Sequence, residues 1–125
     1  MRKQYHFRKS LNGLYAWDVH RLVELSQELP VEVVSLSDIQ EIDESYWFDG
    51  QDDCPTCRAI VDHFRLVKET DLRFPIILCS EGRLMDGMHR VAKALLEDHS
   101  SIKAVRFGET PSPDFTDVTP EELPY

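Results

Sequence analysis

The segment Asp86-Gly87-Met88-His89-Arg90 combines residue types that bind anions. It follows an apolar run and precedes an amphipathic stretch, which places it between a strand and the start of a helix. Backbone N–H groups at a helix start lack partners within the helix, and the helix dipole favours an anion beside them. Gly87 permits close approach of a ligand, while His89 and Arg90 add side-chain donors. The segment therefore predicts a phosphate-binding site at Gly87, Met88, His89 and Arg90. The alternative is an ordinary turn in which Asp86 caps the helix.

A second predicted helix start, at Pro55-Thr56, could face the same ligand. Thr56 offers a hydroxyl and an N–H group, and Arg58 offers a positive charge. His63 follows seven residues after Thr56, on nearly the same helical face. Thr56, Arg58 and His63 are therefore further candidates for binding a nucleotide or phosphate. The simpler interpretation is that Thr56 caps the helix and His63 is a partly buried histidine.

Cys54-Pro55-Thr56-Cys57 places two thiols at the same helix start, where the helix dipole favours thiolates. A thiol-redox protein that uses Cys54 and Cys57 is therefore an alternative function. Cys57 also falls on an apolar stripe, which favours a buried structural cysteine. The sequence contains no second Cys-x-x-Cys, so the spacing predicts no metal site.

Hydrophobic periodicity and turn residues predict the elements that position these candidates. The expected order is helix, strand, short helical turn, helix, β-hairpin, helix, strand and tail. The predicted bounds are residues 19–28, 31–36, a turn around residue 39, then 55–69, 76–79 with 83–85, 88–97 and 102–107. The predicted inward residues of the three helices are Val19, Leu22, Val23 and Leu25, then Cys57, Ile60, Val61, Phe64 and Val67, then Val91, Ala94 and Leu95. This order predicts a small α/β or α+β domain with a mixed sheet covered by helices.

The last 18 residues have a different composition, with four of the seven prolines and five acidic residues. We therefore divide the chain into a single domain over residues 1–107 and an acidic, proline-containing tail over residues 108–125. Such a tail either wraps the domain surface or is loosely ordered.

Length and charge exclude several classes of protein. A chain of 125 residues fits one domain, and 42% hydrophobic residues suffice for a core. The net charge of −9 disfavours DNA binding by this chain on its own. The sequence has neither an apolar stretch long enough to span a bilayer nor an N-terminal apolar signal region. We therefore expect a cytoplasmic protein without a membrane partner, whose cysteines are reduced.

The element order and the segment at residues 86–90 resemble the ParB/sulfiredoxin-like superfamily. The resemblance covers residues 31–107, including Phe74-Pro75-Ile76-Ile77-Leu78, which leads into the hairpin, and the closing strand at residues 102–107. It implies that residues 87–90 bind nucleotide phosphates, since ParB N-terminal domains bind CTP, sulfiredoxins use ATP and related free-serine kinases use ADP. It also implies that the helix beginning at Thr56 helps to bind the nucleotide.

This chain departs from the sequence pattern of each branch of the superfamily, and these departures narrow the activities that the resemblance implies. Sulfiredoxins carry their reacting cysteine where this chain has Met88, and a thioether cannot form a thiolate. ParB proteins usually have two adjacent arginines in the box, together with a helix-turn-helix domain and a dimerisation segment. We therefore expect neither sulfinic-acid repair nor a self-sufficient centromere-binding role. The Asp-Gly-x-x-Arg form with Asp86 is most similar to the serine-kinase branch.

The expected function is binding of ATP, ADP, CTP or another phosphorylated small molecule at residues 87–90, with transfer of a phosphoryl group to a small molecule. Such a reaction needs a carboxylate that accepts a proton or holds Mg²⁺, and Asp86 and Glu44 are the catalytic candidates. With 23 acidic residues in the chain, a loop carboxylate such as Glu44 is most often simply solvated. The alternative from another class is a non-catalytic module that senses a ligand and binds a protein partner. A homodimer also remains open.

Overall fold

The computed structural model of the protein describes residues 3–48 and 54–125. In this part of the chain, the α-helices are α1 (Val19–Ser26), α2 (Cys57–Glu69) and α3 (Met88–Leu96). The strands are β1 (Tyr5–Lys9), β2 (Leu14–Asp18), β3 (Glu32–Ser35), β4 (Ile76–Leu78), β5 (Leu84–Asp86), β6 (Ser101–Arg106) and β7 (Phe115–Val118). Short 3₁₀ helices occupy Leu36–Asp38, Gln40–Asp43 and Pro120–Glu122.

The strands form two sheets. One is antiparallel with the order β1-β2-β7, and the other has the order β3-β6-β4-β5. In the second sheet β4 and β6 run parallel, whereas β3 pairs with β6 and β5 pairs with β4 in antiparallel fashion. The predicted fold class is confirmed, because the chain is a small single-domain α+β protein with a mixed sheet and helices.

The mixed sheet is buried on both faces. Successive residues of a strand point to opposite faces. Ile76 and Leu78 of β4 accordingly join one apolar cluster with Val91 of α3, whereas Ile77 joins another with Leu22 of α1. The two clusters fix the position of the β5–α3 junction, at which the 86–90 segment lies.

The helices begin and end close to their predicted bounds, and their caps explain why. Asp18 accepts a hydrogen bond from the backbone N–H of His20 at 2.9 Å and so begins α1. Thr56 accepts one from the backbone N–H of Ala59 at 3.1 Å and so begins α2. Gly87 precedes α3 in a left-handed conformation. These local signals were readable from the sequence.

The predicted inward face of α2 is wrong in most of its residues. Val67 is buried, but Ile60 is 50% exposed, Phe64 is 48% exposed and Cys57 is exposed. The helix packs mainly against α3, and a single neighbouring helix covers only part of an apolar stripe. The prediction for α3 fails at Leu95, which is 50% exposed. The prediction for α1 also fails at Leu25, which is 48% exposed.

The sequence did not predict the N-terminal sheet, β1-β2-β7, and this sheet includes a strand from the tail. Of the two expectations for residues 108–125, the structure shows the tail wrapped on the domain, with β7 paired to β2. The indole N–H of Trp17 donates to the carbonyl of Pro111 at 2.8 Å. Leu123 near the chain end is buried at 6% exposure. Among the residues described, no helix is long and apolar enough to cross a membrane.

His6 on β1 is expected to make the folded state less stable in mild acid. Burial, with a smaller contribution from the Arg8 charge, lowers the pKa of His6 to about 3. Arg8 Nε donates a hydrogen bond to His6 Nε2 at 3.0 Å, which requires that nitrogen to be unprotonated. The unfolded chain, with a histidine pKa of about 6.5, therefore binds the extra proton between about pH 6.5 and pH 3. The free energy of unfolding should fall as the pH drops through that window, by at most about 1.4 kcal/mol per pH unit.

Urea unfolding of wild type and His6→Gln between about pH 7 and pH 5 measures this effect. Glutamine keeps an acceptor for Arg8 but does not titrate in this range, so the variant should show a shallower dependence on pH. His99→Gln, a change at an exposed histidine, is the control and should follow wild type. Identical slopes for wild type and His6→Gln would assign the acid sensitivity to other groups.

Candidate functional site

The 86–90 segment lies where β5 ends and α3 begins. Gly87 adopts a φ of 114°, and the backbone turns there into the helix. The Asp86 carboxylate accepts a hydrogen bond from Arg90 Nη2 at 3.0 Å, one helical turn later. Asp86 therefore does not cap α3 but holds the guanidinium of Arg90 in place. The two side chains are 23% and 17% exposed.

A cavity of about 720 Å³ opens in front of this segment. All five residues of the segment contribute to its wall, and so do Tyr46 and Trp47. Its volume lies within the range of about 300 to 1,000 Å³ that is usual for small-molecule sites. The first amides of α3 have no acceptor within the helix. The candidate residues Gly87, Met88, His89 and Arg90 thus share one cavity.

Burial sets the electrostatics of this cavity. It raises the pKa of Asp86, although the positive charge and hydrogen bond of Arg90 act against the shift. Burial also raises the pKa of Tyr46 to about 12, assisted by the charges of Asp86 and Glu41. The Tyr46 hydroxyl therefore stays protonated at neutral pH. Arg90 Nε is buried and has no hydrogen-bond partner among the described residues, so this charged group has an unused donor.

His63 and His89 come together although they lie on different helices. A hydrogen bond joins His63 Nδ1 and His89 Nε2 at 3.0 Å. The indole of Trp47 stacks on both rings, with centroids 4.3 Å from His63 and 5.0 Å from His89. Burial lowers the pKa of His89, and the nearby charges of His63 and Arg90 lower it further. His89 is thus a neutral, oriented imidazole in the cavity wall.

Other candidates lie elsewhere. Thr56 caps α2, as its simpler interpretation predicted, and Arg58 is exposed in the first turn of the same helix. Neither is among the described residues that line the cavity at residues 86–90. Glu44 accepts hydrogen bonds from Arg83 Nη2 at 2.8 and 3.0 Å. It lines a separate cavity of about 460 Å³.

The separate cavity contains a buried carboxylate that sequence reasoning missed. Glu41 has a side chain that is 5% exposed, and its Oε2 accepts from Arg83 Nε at 2.9 Å and from the Leu84 amide at 3.1 Å. Glu41 lies two residues after the apolar Ile39, in a short helical turn. Nothing in the sequence indicated that a carboxylate in this turn would be buried. Tyr46 lines both cavities and therefore forms part of the wall between them.

None of the three cysteines is among the described residues that line the cavity at the 86–90 segment. Cys54 and Cys57 are exposed at the start of α2, so the expectation of a buried Cys57 is wrong. Cys79 follows β4 and is buried. Burial opposes ionisation of Cys79, but Arg8 and the backbone amides of the following turn outweigh it and lower the pKa of the thiol.

A metal ion at the 86–90 segment would need oxygen ligands from a bound phosphate as well as from the protein. Among the described residues, no three His, Cys, Asp or Glu side chains cluster as a metal site. Mg²⁺ is often held by one or two carboxylates together with substrate phosphates. Asp86 is a carboxylate that could contribute in that way.

Comparisons of the chain with family models, with curated proteins and with solved structures find no match. The resemblance to the ParB/sulfiredoxin-like superfamily therefore rests on the motifs and element order within residues 31–107. The chemistry of the site has to be derived from its own side chains.

Proposed function

We propose that the protein is a cytoplasmic phosphotransferase that binds a nucleotide, or another phosphorylated small molecule, in the cavity at the start of α3. One observation carries the proposal. Arg90, His89 and the residues around them at the start of α3 line one cavity of about 720 Å³. A planar guanidinium can donate two parallel hydrogen bonds to a phosphate, and the helix dipole adds to the attraction. The wall therefore has both the donors and the volume that a phosphorylated ligand needs.

Asp86 gives the site a group whose charge can respond to the ligand. It holds Arg90 at 3.0 Å when no anion competes. A nearby phosphate favours the protonated form of a carboxyl group, and burial already raises the pKa of Asp86. Asp86 can therefore donate to a phosphate when protonated or accept the proton of an attacking hydroxyl when ionised. Both roles suit phosphoryl transfer better than simple ligand storage.

The rest of the cavity wall favours an organic ligand over inorganic phosphate alone. Apolar side chains line the cavity beyond the 86–90 segment, including Ile77, Met85 and Val105. Tyr46 and Trp47 add aromatic surface, against which a base or another flat group can pack. A cavity that combines charged donors with apolar and aromatic surface fits a nucleotide.

Arg90→Gln is expected to weaken nucleotide binding by about 10- to 100-fold, the effect of losing a charge-assisted hydrogen bond of roughly 1.5 to 3 kcal/mol. Calorimetric titration of wild type with ATP, ADP, CTP and inorganic phosphate, each with and without Mg²⁺, first identifies the ligand. The same titration of the variant then measures the loss.

Arg65→Gln is the matched control, because Arg65 is exposed on α2 and is not among the residues that line the cavity. It removes the same charge and should leave affinity unchanged. Equal nucleotide affinity of wild type and Arg90→Gln would show that the nucleotide does not bind at residues 86–90. Binding without turnover of any hydroxyl acceptor would instead assign the cavity to ligand sensing.

A further inference from the structure

We propose that His89 carries the transferred phosphoryl group on Nδ1 as a covalent intermediate, with His63 holding its ring in the reactive orientation. The inference rests on the proposed function, because the phosphate donor is taken to bind in the same cavity. The covalent intermediate makes His89 a nucleophile, a role that the sequence did not assign. It also divides phosphoryl transfer into two steps.

The contact between the two histidines leaves the right nitrogen available. His89 Nε2 is engaged with His63 Nδ1 at 3.0 Å, so Nδ1 is the other ring nitrogen of His89. If each ring carries its proton on Nε2, the more stable position in a neutral histidine side chain, His89 donates to His63 and its Nδ1 keeps a free electron pair.

The stack with Trp47 fixes the ring without blocking that nitrogen. The planes of Trp47 and His89 are 20° apart, and those of His63 and His89 are 24° apart. The nitrogen electron pairs of an imidazole lie in the plane of the ring. Trp47 therefore covers a face of the His89 ring and His63 occupies its Nε2 edge, so neither partner occupies Nδ1. His89 lines the cavity, whereas His63 is not among the described residues that do so. A ligand in the cavity therefore meets His89.

The charges around His89 suit a nucleophile that receives a phosphoryl group. Burial keeps His89 neutral, and only the neutral ring can attack. Arg90 is the next residue and is held at the cavity wall by Asp86. Its guanidinium can neutralise the charge that develops on the phosphoryl oxygens.

The first step begins with a nucleoside triphosphate as the donor. His89 Nδ1 attacks the terminal phosphorus, a P–N bond forms, and the P–O bond to the leaving diphosphate breaks with its electron pair. The ring becomes a cation, and its Nε2 proton is shared with His63 Nδ1. In the second step an acceptor hydroxyl attacks the phosphorus while Asp86 takes the hydroxyl proton. The P–N bond then breaks, and its electron pair returns to Nδ1.

The experiment uses two phosphoryl donors on the full chain. Phosphoramidate phosphorylates reactive histidines with loss of ammonia and does not require a nucleotide site, whereas ATP requires one. We expect both to place a single phosphoryl group on His89 of the wild type, mapped by mass spectrometry and stable in alkali but not in acid. His89→Gln should lose this labelling. His63→Gln should slow it about tenfold or more, because the ring loses its orienting partner.

His99→Gln is the control for a general effect of losing a histidine, since His99 is exposed near the end of α3. Mapping on the wild type alone already tests the inference, should a variant fail to fold. Nucleotide binding without acid-labile phosphate on His89 from either donor would overturn the intermediate and leave the proposed function in place. Labelling of other histidines at the same rate as His89 would also overturn it. Absence of nucleotide binding would instead overturn the proposed function.

Discussion

Ending the chain after Phe107 is expected to lower the free energy of unfolding by about 5 kcal/mol, which is comparable with the whole stability of many small domains. The truncated chain should be largely unfolded at room temperature. The reason lies in the contacts that residues 108–125 make with the N-terminal sheet. Without β7, strand β2 loses the partner on one of its edges.

Four losses account for the expected size of the effect. Leu123 is 6% exposed, and its burial is worth about 1.5 to 3 kcal/mol. The Trp17 indole N–H loses its hydrogen bond to the carbonyl of Pro111, which contributes about 0.5 to 1.5 kcal/mol. The loss of the β2–β7 hydrogen bonds and of the Arg21–Asp114 ion pair adds to these.

Thermal and urea unfolding followed by circular dichroism measure the effect. Leu123→Ala is the smaller, matched change and should cost about 2 to 3 kcal/mol while preserving a cooperative transition. A truncated chain that unfolds at the wild-type midpoint would show instead that residues 1–107 form a domain on their own.

The elements around the candidate site were predictable because their signals are local. The hairpin before Asp86 turns at Gly82, and the apolar spacing of Val91 and Ala94 identifies the buried face of α3. These two features need no knowledge of distant residues. The contact of Asp86 with Arg90 was not predicted, because Asp86 ends β5 outside the helix.

The N-terminal sheet could not be predicted in this way. β1 and β2 are five residues each, and their residues are only partly buried at most positions. Part of what stabilises β2 is β7, which lies about a hundred residues later. A short strand whose partner is distant carries little information in its own sequence.

The same limit applies to the side chains of the site. His63 and His89 were each selected from the helix start that precedes them, but their contact joins residues 26 positions apart. Glu44 was selected as an acid in a loop, and its partner Arg83 is 39 positions away. Chemistry could therefore be assigned to single residues, whereas their pairing depends on how α2, α3 and the 3₁₀ turns pack.

Gly87→Ala is expected to lower the free energy of unfolding by about 3 kcal/mol and to weaken nucleotide binding. The φ of 114° at Gly87 is one that residues with a side chain rarely adopt, at a cost of roughly 1 to 2 kcal/mol. An added Cβ would also lie 2.6 Å from Ile76 Cγ2 and 2.8 Å from Arg90 Nη2. Ile76 is fully buried, so making room for the Cβ disturbs its packing, and such overpacking costs about 1 to 3 kcal/mol.

Two other glycines separate the two costs. Gly82 also has a positive φ, of 82°, but an added Cβ would lie 3.8 Å from Arg106, so Gly82→Ala should show the backbone cost alone. At Gly108 an added Cβ would meet no described atom within 4 Å, so Gly108→Ala should leave stability nearly unchanged. Urea unfolding ranks the three variants, and titration with the nucleotide measures binding. If Gly87→Ala costs no more than Gly82→Ala, Ile76 and Arg90 have moved to make room. Weaker binding would then report a displaced guanidinium, because Arg90 lines the cavity and Ile76 is not among the described residues that do so.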